Sequence, residues 1–469
     1  MELWDCELKA SNNEYDEKGS IATQNIIHEY RLHTYDCDKE IFIELKDSYA
    51  PSFPVIIKSD GTIWDKAVLY LNHLLSMDKS TKLIKTAAGD LLDFLRFIEA
   101  HEIDMLHVPS EKELRVTYRY RQYLINKDDL TSTTKSQRIN RIIAFYKFCF
   151  ANKLFTKEEI NNRLYKVLKE RLFKTFNLRI WYTSNEGFIR ETEKESTDLR
   201  IKRNPSSEQS SDGIKDGRQL HPLSPEEQEI FGRYLKKYGN RVFQLICIIA
   251  INTGARLQTI CTLRTNDIQE LKKGKVVKNK YKGIIVGKGT TIDNKQDKQY
   301  KILFPIWIIE QLENYINSVE WEERASKSYY KKDNNYIFLS KFGNSFYTSK
   351  KEIQDRKLRK YPTNGMFVER KGESIRKNLD DIWQLMEKNR EEIGKFSIHD
   401  LRATFGLNLL HQLERFNKLD QSSILNEIRE RMGHSSRLIT ENYLNYYALN
   451  QAYANVSEKY TEDTYRFDY

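Results

Sequence analysis

The sequence predicts a mostly α-helical protein with a small β-sheet, built as a helical bundle followed by a larger, mixed but mainly α domain. Three observations carry this. Apolar residues recur at helical spacing behind N-cap residues across 62–160, and again from 221 to about 450. A stretch rich in Ser, Gly, Asp and Pro without periodicity, "KRNPSSEQSSDGIKDGRQLHP" (202–222), separates the two blocks. One hairpin-like interruption, "KGIIVGKG" (282–289) followed by "YKILFPI" (300–306), breaks the second block. At 469 residues the chain exceeds the size at which one core keeps growing, so two or three domains are expected.

The elements follow in chain order. Residues 1–60 carry short β-like pieces, "IFIEL" (41–45) and "FPVII" (53–57), and read as an accessory or arm region. The helical domain spans 62–165. In "STKLIKTAAGDLLDFLRFIEA", Ser80 is the cap, and Ile84, Ala87, Ala88, Leu91, Leu95 and Ile98 line one face. "SEKELRVTYRYRQYLIN" opens with Ser110 and Glu113 in capping-box spacing. "STTKSQRINRIIAFYKFCFANKLF" turns Ile139, Ile142 and Tyr146 inward and Lys135, Arg138 and Arg141 outward. That basic row is a candidate DNA-backbone contact, or simply a solvated helix face. Residues 166–220 read as a linker region. The next domain, 221–450, begins at "LSPEEQEIFGRYL", with Ser224 as cap, Pro225 first in the helix and Glu227 third. A tail, 451–469, follows.

Composition narrows the function classes. The net charge of +10 suits a polyanionic partner, nucleic acid being the commonest. No run approaches the roughly 18 consecutive apolar residues of a membrane span, and the polar, acidic start is unlike a signal peptide. The five cysteines (Cys6, Cys37, Cys149, Cys247, Cys261) are odd in number and scattered, as in reduced thiols of a cytoplasmic protein. His and Cys show no metal-ligand spacing, so a structural or catalytic zinc is not expected; no cofactor is expected either.

Four segments carry candidate chemistry. In "NTGARLQTICTLRTNDI" (252–268), Arg256 follows a Gly bend and stands at the start of a helix using Leu257, Ile260, Cys261 and Leu263, where an anion is favoured. In "VGKGTTIDNKQDKQYKILFPI" (286–306), Lys288 sits between two glycines at a strand end. This is no phosphate-binding loop of the ATP-binding kind: three residues separate Gly283 from Gly287, and Gly289 stands where Ser or Thr would hold magnesium. In "FSIHDLRATFGLNLL" (396–410), His399 and Arg402 are neighbours on one helix face, and two such groups repel unless an anion lies between them. In "MGHSSRLITENYL" (432–444), His434 follows a helix-ending Gly433, a new helix starts near Ser435 or Ser436, and Tyr443 comes nine residues after His434. Taken singly, each segment has an ordinary structural explanation: a surface arginine, a hairpin lysine, a core aromatic.

Taken together and in this order, the segments resemble the tyrosine recombinase (phage integrase) family. The resemblance covers about 221–450 and extends more weakly to the bundle before it. It implies an N-terminal core-binding bundle of the SAM-like type and a catalytic domain that clamp duplex DNA between them as a homotetramer, with accessory recombination proteins as further partners. It implies catalytic roles for Arg256, Lys288, His399, Arg402, His434 and the nucleophile Tyr443, acting through a 3′-phosphotyrosyl link without metal or ATP. Lys295 and Lys298 are alternatives for the lysine, Tyr446 and Tyr447 for the phenol. The family usually has a carboxylate three residues after its first arginine; Thr259 stands there in this chain. Such a protein would be a site-specific recombinase, with a tyrosine-type topoisomerase or resolvase, or a catalytically dead DNA-binding regulator, as the alternatives.

Overall fold

The computed structural model describes residues 21–28, 30–36, 41–50, 52–161, 163–183, 189–201, 213–216, 219–278, 280–295, 298–331, 334–358, 367–415, 419–434 and 437–449. Two compact units divide the chain, Met1–Ser207 and Glu208–Tyr469. Both are mainly helical with small antiparallel sheets, as the sequence predicts.

The first unit packs the helices Asp65–Ser76, Thr81–Ala100, Val116–Asn126, Ser132–Ala151 and Tyr165–Leu172 around one core. The Thr81–Ala100 helix starts as expected, with the Ser80 side chain accepting from the Leu83 amide. It buries Ile84, Ala87, Ala88, Leu91, Leu95 and Ile98, and also Phe94 and Phe97. Each large apolar side chain so buried contributes about 2 kcal/mol, which is what holds helices of this length together. Strands Thr23–Ile27 and Phe53–Ile57 pair antiparallel, and Phe53, Val55 and Ile56 enter the same core. Arg96 Nε donates to the carbonyl of Ala22 (2.9 Å), tying this strand pair to the long helix.

Three local expectations change. Ser110 caps no helix: the chain folds back so that the Val116 amide donates to His107 (3.0 Å), and Arg115 reaches the carbonyls of Pro109 and Ser110. The helix therefore begins at Val116 with Arg115 as its uncapped N-cap. Lys135, Arg138 and Arg141 do not stand outward as a free basic row. Arg138 Nη1 lies 2.6 Å from Asp93, Arg141 Nε 3.7 Å from Asp90, and Lys135 Nζ donates to the Ile125 carbonyl (2.8 Å). Burial pushes the Asp90 carboxyl up to about 6 against the pull of Arg141 and Arg138. Finally, the first half of 166–220 holds a helix end and a hairpin, Thr175–Thr183 paired with Ile189–Thr197. Its return strand, "IRETEKEST", is exposed along most of its length, so no apolar alternation announces it.

The second unit opens on the expected capping box: Ser224 Oγ accepts from the Glu227 amide, and Glu227 accepts from the Ser224 amide. The apolar helix Arg241–Thr253 runs through its core and packs on the helix Ile398–Arg415. The sheet runs in the order Tyr300–Pro305, Tyr281–Val286, Val276–Val277, so the expected hairpin is present, with Val286 opposite Tyr300. The arginine segment is two helices, not one: Leu257–Cys261 stops at Thr262, whose hydroxyl turns back to the Gln258 carbonyl, and Thr265–Lys273 follows. The helices Gln421–Met432 and 437–449 close the unit. Cys149, Cys247 and Cys261 are buried and free; Cys6, Cys37, Ser435, Ser436 and the tail 451–469 lie outside the described residues. No helix among the described residues is long and apolar enough to cross a membrane.

Candidate active site

The site is built around the first turns of the helix Ile398–Arg415. Ser397 and Asp400 start it: the Asp400 carboxylate accepts from the amide and hydroxyl of Ser397 (both 2.7 Å), and the His399 amide donates to Ser397 Oγ. His399 and Arg402, one turn apart, then look toward the same point. Gly254 ends the Arg241–Thr253 helix with φ +66°, in the left-handed region. A Cβ there would lie 2.5 Å from the Phe405 ring, so glycine lets the two helices close up. That approach brings the Gly254 carbonyl onto Nη1 of Arg402. Nη2 of Arg402 donates to the Met432 carbonyl (2.7 Å), at the end of the Gln421–Met432 helix. One guanidinium thus joins three segments.

Arg256 arrives as the N-cap residue of Leu257–Cys261, as its position after the Gly bend implies. Gly433 adopts φ +61°, ends its helix and turns His434 inward, where Nδ1 meets Thr440 Oγ1 at 3.0 Å. Tyr443, on the next helix, sets its ring 5.6 Å from that of His434. Gly406 makes the space: a Cβ there would lie 2.7 Å from the Tyr443 ring and 2.8 Å from the Met432 sulfur. The Tyr443 hydroxyl is buried and has no hydrogen-bond partner among the described residues.

Five of the six expected residues therefore come together: Arg256, His399, Arg402, His434 and Tyr443. Lys288 does not join them; it is exposed at the turn of the hairpin, as are Lys295 and Lys298. Of the rival phenols, Tyr446 borders the neighbouring apolar cluster and Tyr447 packs edge-on against His411.

The residue at the centre of the site belongs to none of the four sequence segments. Asp216, in the short hairpin Ile214–Lys215/Gln219–Leu220, places Oδ2 3.2 Å from Arg402 Nε and 3.4 Å from His434 Nε2. Its Oδ1 lies 3.5 Å from Arg256 Nη2, and its backbone carbonyl accepts from His399 Nε2 (3.2 Å). Nε2 of His434 approaches the carboxylate without a directed hydrogen bond among the described residues. The hairpin is pinned to the Ile398–Arg415 helix from below: the His221 amide donates to Asp400 (2.8 Å) and the Leu223 amide to Thr404 (2.9 Å). Ile214 and Leu220 are buried in the apolar cluster that also holds Tyr443. The alternation of Ile214 and Leu220 around "KDGRQ" is the one sequence signal for this element, and it says nothing about what Asp216 faces.

Electrostatics fix the protonation states. Burial alone would raise the Asp216 pKa, but His434 and the charges of Arg402 and Arg256 outweigh it and hold the carboxyl well below the usual carboxylate range. Burial, reinforced by Arg402 and Arg256 against the opposing pull of Asp216, lowers His399 to about 4. Burial also lowers His434. Both imidazoles are neutral at pH 7, leaving two guanidiniums against one carboxylate. Burial pushes the Tyr443 phenol upward, with Arg402 and Arg256 pulling it down and Asp216 holding it up. Thr259, where a carboxylate is usual in the resembled family, is buried with its hydroxyl unpartnered among the described residues. The carboxylate beside Arg256 comes instead from Asp216, 40 residues earlier in the chain. Chemically, such a cluster can bind one tetrahedral oxyanion and hold a phenol next to it.

No protein-family model matches the chain, and no curated protein does. Solved structures similar to it are site-specific recombinases and integrases. One is the XerH site-specific recombinase bound to palindromic difH substrate, at 15% identity over 84% of this chain and 89% of that one, with a TM-score of 0.45. Another is the Tn1549 transposon integrase in complex with circular intermediate DNA, at 13% identity over 81% and 94%, TM-score 0.40. A third is a lambda integrase dimer bound to a COC′ core site, at 10% identity over 81% and 94%, TM-score 0.41.

Proposed function

We propose that the chain is a site-specific DNA recombinase of the tyrosine type, which cuts and rejoins DNA strands through a covalent bond to Tyr443. The observation that carries this reading is the convergence of Arg256, Arg402 and His434 on the Asp216 carboxylate, with His399 on the same residue's carbonyl and a buried phenol beside them.

In this reading a DNA phosphodiester takes the anion position. Arg256 and Arg402 grip its non-bridging oxygens and His434 donates a hydrogen bond. The Tyr443 oxygen attacks phosphorus, and the bond to the 5′ oxygen breaks as the new one forms. The phenol proton passes to His399, whose neutral imidazole can accept it, and Lys288 gives a proton to the departing 5′ oxygen. A phosphotyrosine ester replaces a phosphodiester, so the reverse attack by another strand's 5′ hydroxyl rejoins DNA without an energy source. Preorganised cations supply most of the acceleration, roughly 10²–10³-fold for each donor aimed at the developing charge. A tetramer on two duplexes is the assembly that strand exchange of this kind requires.

The test is covalent capture. The full chain is incubated with a library of nicked duplexes from which the cut end is lost after cleavage. A protein–DNA adduct that disappears in Tyr443→Phe supports the enzyme. Sequence-selective binding without any adduct would assign the fold to a DNA-binding regulator.

A further inference from the structure

Three of the residues that would touch the substrate are closed off. Tyr443 is 0% exposed, Arg402 1% and His434 3%, so a phosphodiester cannot reach them as they stand, and Asp216, at 3%, is buried with them. The group in its way is Asp216. Its carboxylate takes Nε of Arg402 and Nη2 of Arg256 and lies 3.4 Å from Nε2 of His434, while its backbone carbonyl takes Nε2 of His399. Arg402, Arg256 and His434 are the side chains that the proposed reaction needs for phosphate, and His399 is the one that takes the phenol proton. A second anion brought to these donors would meet the first at van der Waals distance, and two like charges sharing one buried site repel strongly.

We propose that the Asp216 carboxylate is an internal stand-in for the DNA phosphate: it holds the four groups assembled but blocked, and substrate enters only as Asp216 leaves. This rests on reading the cluster as a phosphodiester site. The architecture fits an exchange. The Gln219–Leu220 side of the hairpin leads into His221 and Leu223, which are tied to Asp400 and Thr404. The Asp216 side is a two-residue strand, held by its pairing to Leu220 and Gln219 and by the burial of Ile214. Among the described residues, displacing it breaks this short pairing and the Asp216 contacts that phosphate would replace, while the anchored side stays tied to Asp400 and Thr404. The stand-in also offsets the cost of holding two guanidiniums in a buried cluster before DNA arrives.

The test uses the full chain and inorganic phosphate as the probe, read as the shift of the thermal unfolding midpoint with phosphate concentration. Asp216→Ala is expected to bind phosphate at least about tenfold more tightly than the wild type, and to lose that gain when Arg256→Gln is added. An equal response of wild type and Asp216→Ala, or a gain that survives Arg256→Gln, overturns the proposal. If Asp216→Ala is unfolded without phosphate, recovery of the fold on adding phosphate counts for it and failure to recover counts against it. A wild-type measurement needs no variant: amide exchange across 213–216 should quicken when mixed-sequence duplex DNA binds, and slowed or unchanged exchange contradicts the idea. Absence of any covalent DNA adduct would speak against the strand-transfer reaction, yet the phosphate titration would still decide the role of Asp216.

Discussion

Arg402 Nε lies 3.2 Å from Asp216 Oδ2, although 186 residues separate the two in the chain. Both are buried, and Arg402 also donates to the carbonyls of Gly254 and Met432. The guanidinium is therefore both a strut between three segments and the centre of the anion site. Arg402→Gln is expected to lower stability by on the order of 3 kcal/mol, because it strands Asp216 without its strongest counter-charge. Urea unfolding measures this, and a loss under about 1 kcal/mol would contradict the strut role.

Tyr443 separates stability from chemistry. Its hydroxyl makes no hydrogen bond among the described residues, while its ring fills the cluster with Met432, Phe405 and Ile428. Tyr443→Phe should leave stability within about 0.5 kcal/mol or raise it slightly, since a buried unpaired hydroxyl is removed. Covalent capture of DNA should vanish. A marked loss of stability in thermal unfolding would mean that the hydroxyl has a structural partner.

Gly406 is expected to be as necessary as the charged groups. A valine there would drive its side chain into the Tyr443 ring and the Met432 sulfur, at a cost of roughly 1–3 kcal/mol. Gly406→Val should cut adduct formation by moving the phenol, while Gly394→Val, where the nearest atom to an added Cβ is 3.9 Å away, should not. Parallel adduct assays on the two variants decide it.

Acid should weaken the fold in two steps. His399 is lowered to about 4 from its ordinary 6.5, and His434 is lowered as well. The unfolded chain therefore takes up protons first, and stability falls as pH drops from about 6.5 to 4, by up to on the order of 3 kcal/mol from His399 alone. Asp216 works in the opposite chemical sense with the same trend: its depressed pKa contributes stability that is lost only below the usual carboxylate range. His399→Gln should flatten the 6.5-to-4 part of the profile. A profile unchanged by that substitution would show that His399 is not held neutral by burial.

Lys288 stands apart, exposed at the hairpin turn. Lys288→Ala should leave unfolding unchanged and slow cleavage. Replacing the leaving 5′ oxygen of the DNA by sulfur, which departs without needing a proton, should restore the rate. If Lys295→Ala or Lys298→Ala shows this rescue and Lys288→Ala does not, the proton donor is that lysine instead.

What the sequence made legible was whatever local spacing encodes. His399 and Arg402 are one turn apart on a helix, and Gly433 must turn the chain where His434 follows. Ser80 and Ser224 mark their helices for the same reason. Long-range pairing left no such trace. The partners of Arg138 and Arg141 are Asp93 and Asp90 on another helix, so the basic row looked free when that helix was read alone. Asp216 is the clearest case: only the folded hairpin, pinned through Asp400 and Thr404, brings an ordinary loop acid to the two arginines.

The central claim is that one phenol, at position 443, bonds to DNA within a ring of cationic and imidazole groups. The most direct measurement is digestion of the trapped protein–DNA adduct followed by mass spectrometry of the nucleotide-bearing peptide. The expected peptide lies within "LITENYLNYY" and carries a 3′-linked nucleotide on Tyr443. A nucleotide found on Tyr446, Tyr447 or any residue outside this helix, or an adduct that persists in Tyr443→Phe, would contradict it.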